Sequence, residues 1–82
     1  MNQWSDQALD QLNELAAKDF RTAKRVRQAI SAHRDRGEGD VKKLQGMDGW
    51  RLRVGDWRVT FDRLPDGDLR IDAIVLRRDA YE

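Results

Sequence analysis

Cysteine is absent from all 82 residues, which excludes disulfides and thiolate metal sites and fits a reducing compartment. No apolar run approaches the ~20 residues of a membrane span, and no signal-peptide pattern follows Met1. The expectation is a cytoplasmic protein with no membrane partner. Glycine-rich phosphate loops are missing too, and the acids are scattered without metal-ligand spacing, which argues against a metal-dependent enzyme. There is one histidine, His33. Near the end of a helical segment it reads as a solvent-facing or capping residue with no chemistry. No repeat, low-complexity tract or composition break divides the chain, so residues 1–82 read as a single domain.

Charge is what the sequence has in quantity. Sixteen bases against fifteen acids give a net charge of +1, but the two signs are segregated. Residues 1–20 carry one base, Lys18, and four acids; residues 21–43 carry eight bases and three acids; residues 50–82 carry seven of each. A near-neutral total therefore does not exclude a nucleic-acid partner, because the decisive quantity is which face the bases share. Arg21, Lys24, Arg25, Arg27, Arg34 and Arg36 fall along one helical segment, where such a run is more often a solvated face than an RNA contact.

The first half has helical periodicity. Ser5 and Asp6 mark a helix start, with Trp4 and Leu9 at the spacing of a hydrophobic staple. Leu9, Leu12, Leu15 and Ala16 then form one apolar stripe. Asp19 caps a second helix whose buried side is Phe20, Ala23, Val26, Ala29 and Ile30. Gly37 ends it, and the two helices make an αα-hairpin. Glu38-Gly39-Asp40 is a turn and Val41 to Leu44 a short connector.

From Trp50 the period changes to two. Trp50, Leu52 and Val54 alternate with Arg51 and Arg53; Gly55-Asp56 fits a two-residue primed turn; Trp57, Val59 and Phe61 alternate with Arg58, Thr60 and Asp62. The loop fixes the register, with Val54 opposite Trp57, Arg53 opposite Arg58, and Trp50 opposite Phe61. The three tryptophans, Trp4, Trp50 and Trp57, read as core anchors. Leu69 to Leu76 is a third strand. The predicted architecture is α+β, with the helical hairpin packed on one face of a small antiparallel sheet.

The register sets Arg53 directly across from Arg58, with Arg51 beside them. Opposed like charges cost a few tenths to ~1 kcal/mol. Folding does not ask for this arrangement, whereas a polyanion does, because guanidinium groups grip phosphate bidentately. Arg77, Arg78 and Tyr81 follow the third strand within reach of the same face. Strict alternation through Leu69, Ile71, Ala73 and Val75 would send Arg77 to the core side, so the strand must end or bend near Leu76 for Arg77 to join the site.

These segments resemble the RelE branch of the RelE/ParE toxin superfamily of bacterial toxin–antitoxin pairs. "WSDQALDQL" resembles the junction of that family's first strand and helix, "LQGMDGWRLRVGDWRVTF" its central hairpin, and "RRDAY" its basic-plus-tyrosine ending. The resemblance implies a RelE-like sheet of three to four strands, with the first short or missing. It implies a toxin that cleaves mRNA in the ribosomal A site by 2′-hydroxyl attack on the adjacent phosphate, with no metal and no cofactor. Implied partners are a cognate antitoxin, in a toxin–antitoxin hetero-oligomer, and the ribosome with its mRNA. By position, the resemblance gives Arg51, Arg53, Arg58, Arg77 and Tyr81 catalytic roles, and places Arg51, Arg53, Arg58, Arg77 and Arg78 in RNA binding. Better-known members carry lysines where this chain has Arg51 and Arg53, and a guanidinium clamps charge better than it takes protons. A ParE-like gyrase inhibitor without catalysis and a degenerate RNA- or ribosome-binding module stay open as alternatives.

Overall fold

The computed structural model describes residues 1–77. Strand β1 (Gln3–Trp4) leads into helices α1 (Asp6–Lys18) and α2 (Phe20–Arg36), followed by β2 (Asp40–Lys43), β3 (Trp50–Val54), β4 (Trp57–Arg63) and β5 (Leu69–Leu76). Both helices begin on the expected caps. The Ser5 hydroxyl accepts from the Ala8 amide at 3.0 Å, and the Asp19 carboxylate accepts from the Thr22 amide at 3.1 Å. The Thr22 hydroxyl also donates to Asp19, which holds that carboxyl below its ordinary range. Gly37, at φ 69°, ends α2 in the left-handed conformation that costs glycine least.

The sheet has five strands in the order β1-β5-β4-β3-β2. One strand exceeds the expectation of three strands after the helices and a short or missing first one. Residues read as a connector form the edge strand β2, antiparallel to β3, with Val41 opposite Leu52 and Lys42 opposite Arg51. Four residues with one apolar side chain are too short to declare a period; pairing to β3 makes them a strand. The short β1 runs parallel to β5.

Both helices cover one sheet face. Ala8 and Leu15 of α1 and Ala23, Val26 and Ile30 of α2 bury against Leu52, Val59, Phe61, Leu69, Ile71 and Ile74. Trp4, Trp50 and Trp57 pack half-buried against this core. Of the expected α1 stripe, Leu12, Leu15 and Ala16 face the core, while Leu9 is exposed and Ala8 is buried in its place. Phe20 is 70% exposed. It stands at the first position of α2, beyond the end of the sheet-facing core, and borders a groove with Leu12 and Ala16 instead.

A β-bulge decides the outcome for β5. Thr60 pairs with Ala73 but Phe61 pairs with Ile71, so Asp72 has no partner on β4. The extra residue reverses the alternation: Leu69 and Ile71 face the core before it, Ile74 after it. The backbone groups around the bulge find partners on the N-terminal segment. The Ser5 amide donates to the Ile71 carbonyl at 2.9 Å, the Ser5 hydroxyl to the Asp72 carbonyl at 2.8 Å, and the Ile74 amide to Gln11 Oε1 at 2.6 Å. Removing Gln11's amide in Gln11→Leu strands the amide of buried Ile74, so the unfolding free energy should fall by about 1–3 kcal/mol in urea titrations.

At the opposite end of β5, Asp68 joins three elements. One carboxylate oxygen accepts from Arg34 (Nε 2.7 Å, Nη2 2.6 Å), the other from the Met1 ammonium at 2.8 Å. The Met1 ammonium first, and Arg34 next, hold Asp68 below its ordinary 3.8. A depressed carboxyl stabilises the fold above its unfolded value and loses that contribution as the pH falls through the folded one. Stability should therefore decline below about pH 3.8, and Asp68→Asn should show a shallower acid limb in thermal melts.

Candidate nucleic-acid interface

The β3–β4 hairpin takes the register that its two-residue loop dictates. Val54 pairs with Trp57, Arg53 with Arg58, Leu52 with Val59, Arg51 with Thr60, and Trp50 with Phe61. Gly55 opens the loop at φ 58°, a left-handed conformation that side chains rarely adopt. With Leu52, Val59 and Phe61 pinned under the helices, the pleat sends Arg51, Arg53 and Arg58 to the other face.

Two cross-strand rows then define that face. The first runs Asp40, Arg53, Arg58, Val75 and the second Lys42, Arg51, Thr60, Ala73. Lys42 was missed in the sequence because its segment looked like a connector. The only available signal was the alternation Asp40-Val41-Lys42, which places a charged residue on either side of one apolar residue.

Arg58 differs from its neighbours. It is only 2% exposed, flanked on the sheet by Arg53 and Val75. Its Nη1 donates to the Trp57 carbonyl at 3.2 Å and reaches the Gly55 carbonyl at 3.5 Å, while its Nε is buried with no hydrogen-bond partner among the described residues. Arg53, on the exposed side of the same pair, sends Nε to the Gly55 carbonyl at 3.4 Å. Two guanidinium groups thus converge on one carbonyl at the hairpin tip. A buried donor without an acceptor costs about 1–3 kcal/mol, more when charged. Acceptor oxygens from a phosphate would remove that cost.

The bulge at Asp72 turns Val75 toward this face, and β5 ends at Leu76, where the sequence required it to end for Arg77 to leave the core side. After the reversal, Val75 stands opposite Arg58, and Arg77 is the first residue beyond the strand. Its amide donates to the Asp56 carbonyl at 2.6 Å, tying the end of β5 to the hairpin loop. Arg78 and Tyr81 lie outside the described residues.

His33 is buried, contrary to the solvent-facing expectation, because α2 presses its last turn against β4. Its ring tilts against Phe61 with centroids 5.3 Å apart. Nδ1 lies 3.1 Å from the Glu38 carbonyl and Nε2 lies 3.5 Å from Arg63 Nη2. A carbonyl only accepts, so the proton belongs on Nδ1, which leaves Nε2 to accept from Arg63. Arg63 in turn stacks on Trp50, its guanidinium carbon 4.0 Å from the ring centroid. This set lies on the helix-covered side, away from the arginine face, and its work is structural. Among the described residues no three histidine, aspartate or glutamate side chains are grouped to hold a metal ion, and no helix is long and apolar enough to cross a membrane.

No family model and no curated protein matches the chain by sequence at a significant level. Solved structures do match. A YoeB/ParE toxin from Agrobacterium tumefaciens superposes with a TM-score of 0.79 at 19% identity, covering 93% of this chain and 98% of that one. A chain of the RelB–RelE antitoxin–toxin complex from Methanococcus jannaschii gives 0.73 at 15% identity, over 98% and 95% of the two chains. The RelE–RelB complex from Pyrococcus horikoshii OT3 gives 0.61 at 26% identity, over 92% and 91%. The class is thereby defined: an α+β domain with the fold of the RelE/ParE toxin superfamily. Within that superfamily its structural neighbours are of RelE, YoeB and ParE type.

The unpaired Arg58 Nε separates a structural role from a binding role. Arg58→Met keeps length and removes the stranded donor, so its unfolding free energy should stay within about 1 kcal/mol of the parent or rise. A loss above ~2 kcal/mol in denaturant titrations would make Arg58 a structural residue.

Proposed function

We propose that the protein is the toxin of a toxin–antitoxin pair and a metal-independent endoribonuclease acting on mRNA in the ribosomal A site. The observation that carries this reading is Arg58: a buried guanidinium whose Nε has no partner among the described residues, set directly opposite exposed Arg53 on the hairpin. Structural likeness to RelE and YoeB toxins supports the class. The antitoxin is its proposed partner, in a hetero-oligomer of the kind named for the RelB–RelE and YoeB–YefM complexes. Cytoplasmic action follows from the target.

In the proposed reaction the ribose 2′-oxygen attacks the adjacent phosphorus as it gives up its proton. The bond from phosphorus to the 5′-oxygen breaks, and that oxygen takes a proton as it leaves, so the products are a 2′,3′-cyclic phosphate and a 5′-hydroxyl. Arg53 and Arg58 offset the charge that builds on the non-bridging oxygens, the electrostatic contribution that usually dominates such steps. Arg51 and Arg77 extend the clamp along the strand, and Arg78 adds charge. Tyr81 stacks on the base and orients the nucleotide. Arginines hold protons rather than exchange them. Lys42, which the register places opposite Arg51, is therefore the amine on this face suited to proton transfer.

That same shortage of proton acceptors favours one second reading, an RNA- or ribosome-binding module that occupies the site without turnover. Both are tested by Arg53→Ala, a change at an exposed position that should leave the melting temperature in place. Induced expression of the parent should arrest growth and produce codon-phased 5′ ends by primer extension. The variant should lose cleavage by about 10²-fold, the order expected when an oxyanion-stabilising group is removed. Arrest with intact message would favour the binding module, and an SOS response with intact message would favour gyrase inhibition.

A further inference from the structure

The arginines of α2 divide into two groups by what they touch. Arg34 is held by Asp35 and Asp68, and Arg36 by Glu38, all within 2.9 Å. These carboxylates keep both guanidinium groups more basic than usual, and both serve the fold. Arg21, Lys24, Arg25 and Arg27 are exposed and make no ion pair among the described residues. Four bases within seven residues repel one another, and the acid that acts on them is Asp19, which Arg21 helps keep ionised.

One of the four reaches the hairpin. Arg25 Nη2 lies 3.8 Å from the position a Cβ on Gly55 would occupy. Gly55 is the residue whose carbonyl receives Arg53 and Arg58 from the other face of the sheet. The loop is where the two faces meet, so its tip has Arg53 and Arg58 on one flank and Arg25 on the other. Arg21 lies one helical turn before Arg25 on the same side of α2.

We infer that Arg21 and Arg25 form a second phosphate-binding step, continuing the RNA track from the arginine face over the hairpin tip and onto the N-terminal half of α2. The inference rests on the reading of the arginine face as an RNA site and adds residues that contact the chain beyond the cleaved bond. The ligand is a single-stranded RNA backbone rather than an acidic protein segment. The bases here are spaced by a helical turn, on a scale matched to successive phosphates, and are joined to guanidinium groups already disposed for phosphate. The apolar residues that a docked protein helix would need, Phe20, Leu12 and Ala16, border the groove on the side of α2 that faces α1.

The test measures binding, so it does not depend on turnover. A fluorescein-labelled 12-nucleotide RNA of mixed sequence is titrated with the full chain between 50 and 200 mM salt. Arg21→Gln/Arg25→Gln should weaken binding by about tenfold at the lower salt and flatten the slope of log K against log salt by about 1.4, two phosphate contacts' worth. Arg70→Gln, an arginine held by Asp62 and Asp72 at 3.5 and 3.6 Å, is the control and should change the slope by much less. An unchanged slope in the double variant would overturn the inference even if Arg53→Ala abolishes cleavage. So would a double variant that binds RNA normally but loses affinity for a poly-glutamate peptide, which would assign the ridge to an acidic protein partner. A flattened slope in a protein that never cleaves mRNA would sustain the track while refuting the proposed nuclease activity.

Discussion

The fold turns on one unpaired residue, Asp72, and on the three hydrogen bonds that make its bulge affordable. A bulge leaves backbone groups without ladder partners, and here Ser5 and Gln11 supply them from the start of the chain. The same Ser5 hydroxyl caps α1. The first helix is therefore positioned by the irregularity it repairs, and the sheet can carry the irregularity because the helix is there. Phase reversal in β5 follows, which lets Ile71 and Ile74 share the core although they are three residues apart.

From that arrangement the arginine face acquires its third strand. Val75 closes the row beside Arg58, and the amide of Arg77 fastens to the hairpin loop. The face is frustrated as a piece of folding: opposed guanidinium groups, one of them buried with a stranded Nε. Such local conflicts concentrate where a ligand completes the structure. At the end of α2 and the start of β5 the molecule satisfies its charges closely. Asp68 collects Arg34 and the amino terminus, and Glu38 collects Arg36. The contrast between committed and uncommitted arginines distinguishes the parts that hold the domain together from those that face a polyanion.

Much of this was legible in the chain. Ser5, Asp19 and Gly37 delimit the helices because caps are local chemistry, settled within a turn of backbone. The hairpin register was equally local, since a two-residue loop and strict alternation leave one pairing that buries every apolar side chain. Arg53 opposite Arg58 followed from it directly. The edge strand was not legible: Asp40 to Lys43 has too few residues to establish a period, so Lys42 joined the site only through pairing with Arg51. Nor was the burial of His33, which depends on where the last turn of α2 meets Phe61.

What the sequence by itself determined was the pair of helices, the hairpin and the two-sided character of its strands, all of which arise from interactions between near neighbours. Tertiary structure alone decided that the amide of Arg77 fastens to the hairpin loop, how deeply Arg58 is buried, and that Arg25 comes to the hairpin tip. The physical reason is separation along the chain. The bulge that turns β5 is held by Ser5 and Gln11, 67 and 63 residues away from the groups they bind, and periodicity read along one segment carries no trace of such partners.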